Sequence, residues 1–299
     1  MVLRNFDEMV EKVKGFPTRK TVALVAAEDE HALEAVLDAE KEGIVRPILV
    51  GDEVKIREIL AKLNASDDYE IVNEPDCNKA AYKAVELVRN NKADFLMKGK
   101  IETAGILKAV VDKENGLGQG RLMSHIAINE VPSYHKLIVV TDGGMVLYPT
   151  LEQKKEIINN AVEILLKLGY ERPKVGVLAA IEKVNPKMPE SVDAGQLKEM
   201  NLNGEIENCI VEGPISFDLA FYKEAAEIKG YKSEVAGDVD VFVVPNITTG
   251  NVLGKSLVYA ANGKMAGLIV GAKVPIVLTS RGSSAEEKFL SLVLAAATS

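Results

Sequence analysis

The sequence predicts an α/β fold built on mainly parallel sheets, and three observations carry that expectation. Eight short runs rich in Val, Ile and Leu recur along the 299 residues, each closed by a small or polar residue. Stretches with a helical apolar repeat lie between several of them. Hydrophobic residues make up 47% of the chain and charged residues 27%, the balance of a globular protein long enough to bury a sizeable core. Continuous apolar runs suit strands covered on both faces, and their alternation with helices is the pattern of a parallel α/β architecture.

Each element has its own warrant. The run 21–27 (TVALVAA) precedes 31–43 (HALEAVLDAEKEG), where Leu33, Val36 and Leu37 share a helical face and Gly43 suits a C-terminal stop. Runs 46–51 (RPILVG) and 94–99 (DFLMKG) bracket a helical stretch at 77–91. The run 136–142 (KLIVVTD) leads to a helix over 152–169, followed by the run 174–180 (KVGVLAA). A helix over 217–230 (FDLAFYKEAAEIKG) precedes 239–246 (VDVFVVPN), and the runs 266–272 (AGLIVGA) and 274–280 (VPIVLTS) complete the set. Length alone suggests about two domains. No Pro/Ser-rich linker, internal repeat or low-complexity segment divides the chain, so two domains would be joined through strands or helices.

Composition narrows the function. With 36 Lys+Arg against 44 Asp+Glu the formal charge is 36 − 44 = −8, which argues against nucleic acid as a partner. It does not exclude small anions, because a few local cations set the field inside one cleft. No apolar run approaches the roughly 18 residues of a membrane span. The opening MVLRNFDEMVEKVKG is charged and amphipathic, without a signal-peptide centre, so a cytoplasmic protein is expected. Cys77 and Cys209 are far apart, and the three histidines show no H-x-x-x-H, so neither a disulfide framework nor a zinc site is indicated.

In open α/β sheets ligands bind beyond the carboxyl ends of strands, where helix N-termini offer free N–H groups to anions. Four such junctions stand out. At 96–108 (LMKGKIETAGILK), Gly99 admits close approach, Lys98 and Lys100 bring charge, and Thr103 suits a helix cap; an ordinary turn with solvated lysines is the alternative. Downstream, Ser124 and His125 could position a polar group or serve structure. At 245–256 (PNITTGNVLGKS), Asn246, Thr248, Thr249, Gly250 and Asn251 cluster small donors at a helix start. A Walker A loop would need Gly where Thr249 stands, so a nucleotide-hydrolase loop is rejected. GLGQG at 116–120 follows a polar stretch rather than a strand, so it reads as a mobile glycine-rich loop and not a dinucleotide fingerprint. The segment 179–195 reads as a polar loop fixed by two prolines, lining a cleft or solvated. At 274–298, Ser280 could donate to an oxyanion, and Arg281 suits bidentate contact with phosphate. Glu287 could act as a base if burial raises its pKa. Ser284-x-x-Glu287 and Ser283-x-x-Glu286 equally fit a capping box, which needs no catalysis.

These junctions carry a resemblance. LMKGKIET, MSHI, TDGGM with Pro149 and LEQK, VLAAIEKVNPKMPESVDA, EGPISFDLA, AGDVDVFVVPNITTGN and AGLIVGAKVPIVLTSRGSS occur in order nearly end to end. Together they resemble the phosphate acetyl/butyryl transferase family, most closely its butyryl branch in the short form. The resemblance implies an isocitrate/isopropylmalate dehydrogenase-like fold of two α/β domains around an interdomain cleft. The domains would be 1–139 plus 267–299, and 140–266. It implies transfer of an acyl group from butyryl-CoA to inorganic phosphate, with CoA and phosphate as substrates and no cofactor or metal, in a homodimer or higher homo-oligomer. By analogy Ser280 would stabilise the oxyanion, Arg281 would orient anionic groups, and Glu287 would exchange a proton with the CoA thiol. Asn246, Thr248, Thr249, Gly250, Asn251 and Lys255 would line the phosphate or acyl-phosphate site, and Lys98, Gly99, Thr103, Ser124 and His125 match motif positions. The family's acetyl-transferring members carry Asp at the position of Glu287. The butyryl branch often reads SRADS and GNMLYK where this chain has SRGSS and GNVLGK, so Gly282, Ser283 and Gly254 are departures that leave the acyl group open. A phosphate acetyltransferase is the rival within the family. A metal- and NAD-dependent dehydrogenase of the same fold, or a CoA-binding protein without turnover, is the rival outside it.

Overall fold

The computed structural model describes residues 2–280 and 282–299. The first elements in chain order are α1 (Phe6–Lys14), β1 (Lys20–Val25), α2 (Glu30–Lys41), β2 (Val45–Gly51), α3 (Glu53–Lys62), β3 (Ile71–Asn73), α4 (Cys77–Arg89) and β4 (Phe95–Lys98). Next come α5 (Thr103–Val110), β5 (Ser124–Glu130), β6 (Ile138–Thr141), α6 (Leu151–Lys167), β7 (Lys174–Leu178), α7 (Pro189–Leu202) and β8 (Ile210–Ile215). The chain ends with α8 (Phe217–Phe221), α9 (Lys223–Ile228), β9 (Val241–Val243), α10 (Ile247–Tyr259), β10 (Lys264–Val270), β11 (Ile276–Val277) and α11 (Ala285–Thr298).

Contacts group the chain into two compact units, each an α/β assembly. The flanking unit comprises Asp7–Arg121 and Ala266–Ser299. Its strands run in the order β3-β2-β1-β4-β11-β10, parallel except for the β10–β11 pair. In β1 every residue after Lys20 is buried, as a strand covered on both faces requires. Burying Val22, Leu24 and Val25 contributes roughly 1.5–3 kcal/mol each. Helices start on side-chain caps: Asp29 accepts from the Ala32 N–H, Asp52 from Lys55, and Asp76 from Asn78 and Lys79. Gly43 takes the left-handed backbone just beyond α2, at φ 80°, where a side chain would be strained.

The middle unit comprises Leu122–Met265 with the N-terminal residues through Phe6. Its order is β5-β6-β9-β7-β8, parallel except for β5–β6. Its core stacks Phe217 on Phe221 and Phe242, with centroids 5.1 and 5.3 Å apart, around Ile138, Val140, Ile215 and Leu219. Thr150 and Gln153 close a complete capping box at the start of α6.

Several boundaries differ from the sequence reading. Residues 122–139, expected with the first domain, group with the middle unit because β5 pairs antiparallel with β6. The helix expected over 217–230 breaks at Tyr222, whose extended backbone (φ −116°, ψ 118°) separates α8 from α9. The segment 179–195 is a loop only to Met188; Pro189 opens α7, a position where its missing N–H costs nothing. Thr103 is not a cap: Glu102 occupies the N-cap position and makes no side-chain capping hydrogen bond, and Thr103 is the exposed first residue of α5. In GLGQG the loop is tied down, since Gly118 bridges to Ala272 and the Lys273 N–H donates to the Leu117 carbonyl at 2.8 Å.

Candidate active site

In the flanking unit, β4 and β11 are parallel neighbours with Met97 opposite Val277. That register carries Lys98-Gly99 and Thr279-Ser280 out at the same carboxyl edge. A cavity of about 180 Å³ there is lined by Lys98, Gly99, Thr279 and Ser280, by Asp29 and His31 at the start of α2, and by Lys288. Three predicted residues separated by some 180 positions in sequence, Lys98, Gly99 and Ser280, thus meet beside a second ammonium group, that of Lys288. Lys98 Nζ donates to the Gly99 carbonyl at 3.4 Å, and the buried Lys288 Nζ donates to the Ser283 carbonyl at 2.6 Å.

Ser280 is exposed and opens a turn in which the Ser283 N–H donates to the Ser280 carbonyl at 3.1 Å. Its Oγ accepts weakly from the Gly282 N–H at 3.4 Å, so its own hydroxyl hydrogen is left to donate elsewhere. Arg281 lies outside the described residues. Ser284 caps α11 by accepting from the Glu287 N–H at 3.1 Å, but the Glu287 carboxylate does not complete a capping box. It accepts instead from the Ser283 hydroxyl at 2.6 Å. The cap therefore uses the backbone of Glu287 and leaves its side chain for other work. Burial pushes the Glu287 carboxyl above the usual carboxylate range, against the opposing effects of the Ser283 hydroxyl and the Lys288 charge.

Gly99 has a steric duty. Its N–H donates to the Val25 carbonyl at 2.8 Å, and a Cβ there would collide with the Ala26 carbonyl and lie 2.8 Å from that of Val25. Both obstacles are backbone of the β1 edge, which cannot rotate aside. Gly99→Ala is therefore expected to cost about 2–3 kcal/mol, read as a lowered urea midpoint at unchanged m-value. A loss below about 0.5 kcal/mol would show that the loop relaxes freely.

In the middle unit the TDGGM motif folds around one buried carboxylate. Asp142, 2% exposed, accepts from the N–H groups of His125 (2.8 Å), Gly144 (2.8 Å) and Met145 (2.7 Å). Gly143 packs on Gly250, whose own Cβ would lie 2.7 Å from the Asp142 carbonyl and from the Gly143 Cα. Asn251 Nδ2 donates to the Gly143 carbonyl at 3.4 Å. The start of α10 is thus pressed against this loop, capped by Asn246, which accepts from the N–H and the hydroxyl of Thr249. Thr248 and Thr249 line a mostly apolar cavity of about 640 Å³ with Leu178, Phe217, Val252 and Leu253.

Not every predicted residue faces a cavity. Lys255 is exposed two turns along α10 and does not line that space; Ser256 does. Gly254-Lys255 lie inside a helix rather than a phosphate loop. Ser124 is fully buried and its hydroxyl accepts from Asn160 Nδ2 at 2.9 Å, which makes it part of the core. His125 packs against Gly144, its Nδ1 is buried without a partner, and burial lowers its pKa against the pull of Asp142. Asp142, His31 and Lys288 were missed as individual residues. Lys288 did leave a signal: a lysine in the first turn of a helix opposes the helix dipole and calls for a compensating role.

The sequence matches the family described as "Phosphate acetyl/butaryl transferase" over residues 63–296. The chain belongs to this family. Phosphate butyryltransferase of Clostridium acetobutylicum is similar to this phosphate acetyl/butaryl transferase family member at 46% identity over 296 residues, spanning 99% of this chain and 98% of that protein. Phosphate acetyltransferase of Thermotoga maritima is 41% identical over 291 residues, 97% of this chain and 98% of the relative. Among solved structures, a branched-chain phosphotransacylase from Enterococcus faecalis V583 superposes with a TM-score of 0.82 at 36% identity, covering 93% of this chain and 98% of that one.

Proposed function

We propose that this member of the family transfers a short acyl group between CoA and inorganic phosphate, with butyryl-CoA or a branched analogue as the acyl donor. The observation that carries this reading is the convergence of Lys98, Gly99 and Ser280 with Lys288 on one cavity of the flanking unit. Family membership then supplies the reaction class. The isocitrate/isopropylmalate dehydrogenase-like arrangement, with an interdomain cleft, is part of the same proposal, as are a cytoplasmic setting and a homodimer. Among the described residues, no helix is long and apolar enough to cross a membrane.

In this mechanism a phosphate oxygen attacks the thioester carbonyl, a tetrahedral oxyanion forms, and the C–S bond breaks to release CoA thiolate. Ser280 donates its free hydroxyl hydrogen to the oxyanion, the kind of contact whose strength grows as charge develops. Arg281 orients the phosphoryl or CoA anions. Lys98 and Lys288 raise the local potential for phosphate although the whole chain is acidic. Glu287 exchanges the proton of the CoA thiol, and burial, which holds its carboxyl above the usual carboxylate range, makes it a stronger proton acceptor than a solvated Glu. Asn246, Thr248, Thr249, Gly250 and Asn251 contribute the acyl-phosphate side, with Lys255 as a more distant positive charge.

The test is release of free thiol from acetyl-, butyryl- and isobutyryl-CoA, followed with a thiol-reactive dye with and without phosphate. Phosphate-dependent release, fastest with the four-carbon donors, is expected. A preference for acetyl-CoA would favour phosphate acetyltransferase, a reading supported by the Thermotoga maritima similarity. Release without phosphate, or none with any C2–C5 donor, would remove the assignment. CoA binding without turnover would leave a binding protein, and NAD reduction with a 2-hydroxy acid would make it a dehydrogenase.

A further inference from the structure

A third cavity, of about 700 Å³, opens at the opposite edge of the flanking sheet, where the strands begin. Register explains its floor. Thr21 of β1 lies opposite Arg46 of β2, and the Asp94 N–H just before β4 donates to the Thr21 carbonyl, so the three form a row across adjacent strands. Arg46 and Ile48 share one face of β2, the guanidinium exposed and Ile48 buried at the base of the cavity. Arg19 and Lys92 enter from the segments before β1 and after α4.

The charges here are not balanced pairwise. Among the described residues, the side chains of Arg19, Arg46 and Lys92 make no hydrogen bond or ion pair. Three carboxylates, Glu40, Glu70 and Asp94, line the same cavity, and none of them pairs with these cations. Asp94 accepts from the Thr21 N–H at 2.7 Å and from Lys20 Nζ at 3.4 Å, and Glu40 accepts from the Tyr69 hydroxyl at 2.7 Å. The Glu70 side chain is left as an acceptor without a donor. Three cations without a direct partner, from three chain segments, therefore share one concavity with three carboxylates, a mixed lining that offers both donors and acceptors.

We propose that this cavity binds a small phosphate ester bearing hydroxyl groups, of nucleotide size. Phosphate suits guanidinium and ammonium groups grouped around one pocket. The ester's hydroxyls supply the donors that Glu70 lacks. The volume lies within the range of small-molecule sites. The site is separate from the residues given catalytic roles, since those lie at the carboxyl ends of the same strands, and it does not depend on the acyltransferase reading.

Isothermal titration of the intact protein with AMP, ribose 5-phosphate, adenosine and inorganic phosphate tests it. One equivalent of AMP or ribose 5-phosphate is expected to bind, with affinity unchanged by saturating CoA. Arg46→Ala and Lys92→Ala should each weaken binding about tenfold or more, as loss of a charge-assisted contact does. Both side chains are exposed, so both variants should keep the far-UV spectrum and basal acyl transfer. AMP binding alone supports a site that also uses the base, and ribose 5-phosphate at equal affinity supports one that reads only the sugar phosphate. Absence of ester binding, competition by CoA, indifference to both substitutions, or equal affinity for adenosine or inorganic phosphate would overturn the assignment.

Discussion

Glu287→Gln is expected to lower kcat by about 10²–10⁴, the usual worth of a positioned acid–base group, while leaving the protein folded and no less stable at pH 7. The two halves of this expectation have one cause. Burial raises the folded-state pKa of Glu287 above its unfolded value. A carboxyl shifted in that direction contributes its stability in full below the unfolded pKa of about 4.5, and that contribution is lost as pH rises through the folded value. Above the folded value the ionised side chain is therefore held at a cost, and the neutral isostere removes it. Gln keeps an oxygen to accept the Ser283 hydroxyl, so the turn at 280–283 need not rearrange. The Tm difference between Gln variant and parent should shrink as pH falls towards 4. Glu287→Asp keeps the acid but shortens its reach, and should retain more activity than Gln. Full activity in the Gln variant would end the proton-transfer role and leave Glu287 as a contributor of one N–H to the cap of α11.

The capping question shows where sequence reading stops. Ser284-x-x-Glu287 was legible as a box, and Ser284 does cap the helix. Whether the Glu287 carboxylate turned back to the Ser284 backbone or aside to Ser283 depended on rotamers and burial, which spacing does not encode. Long apolar runs located β1, β2, β6 and β7 because buried parallel strands are continuous in composition. By contrast β5 (SHIAINE) mixes polar and apolar residues and β8 (IVEGPI) contains Gly-Pro, so neither offered an unbroken run. Lys98 and Ser280 were each visible at a strand end. Their meeting required the β4–β11 register, a long-range pairing that no local pattern contains. Ser124 misled for the opposite reason: its polar chemistry is consumed internally by Asn160. The cavity where the flanking strands begin left no motif, since its cations are scattered over positions 19, 46 and 92 and are united only by strand pairing.

Asp142→Ala should be the most destabilising of the substitutions considered, at about 3–5 kcal/mol, because three buried N–H donors lose one acceptor group. Oδ1 serves Gly144 and Met145, and Oδ2 serves His125, so the carboxylate joins the start of β5 to the loop after β6. Domains of ordinary stability have only about 5–15 kcal/mol to lose, and the urea midpoint should fall accordingly. Asp142→Asn separates geometry from charge. Its single oxygen can serve Gly144 and Met145, but its NH₂ then faces the His125 N–H, donor against donor, so roughly half the loss should remain. The functional effect follows from packing: Gly143 rests against Gly250 at the first turn of α10, and Asn251 bonds to the Gly143 carbonyl. A loosened loop therefore releases the Asn246–Asn251 segment, and the Asn variant should lose kcat/KM for phosphate while it still folds. A loss below about 1 kcal/mol in the Ala variant would mean that water reaches these amides, and Asp142 would then be a lesser organiser of the loop than its burial implies.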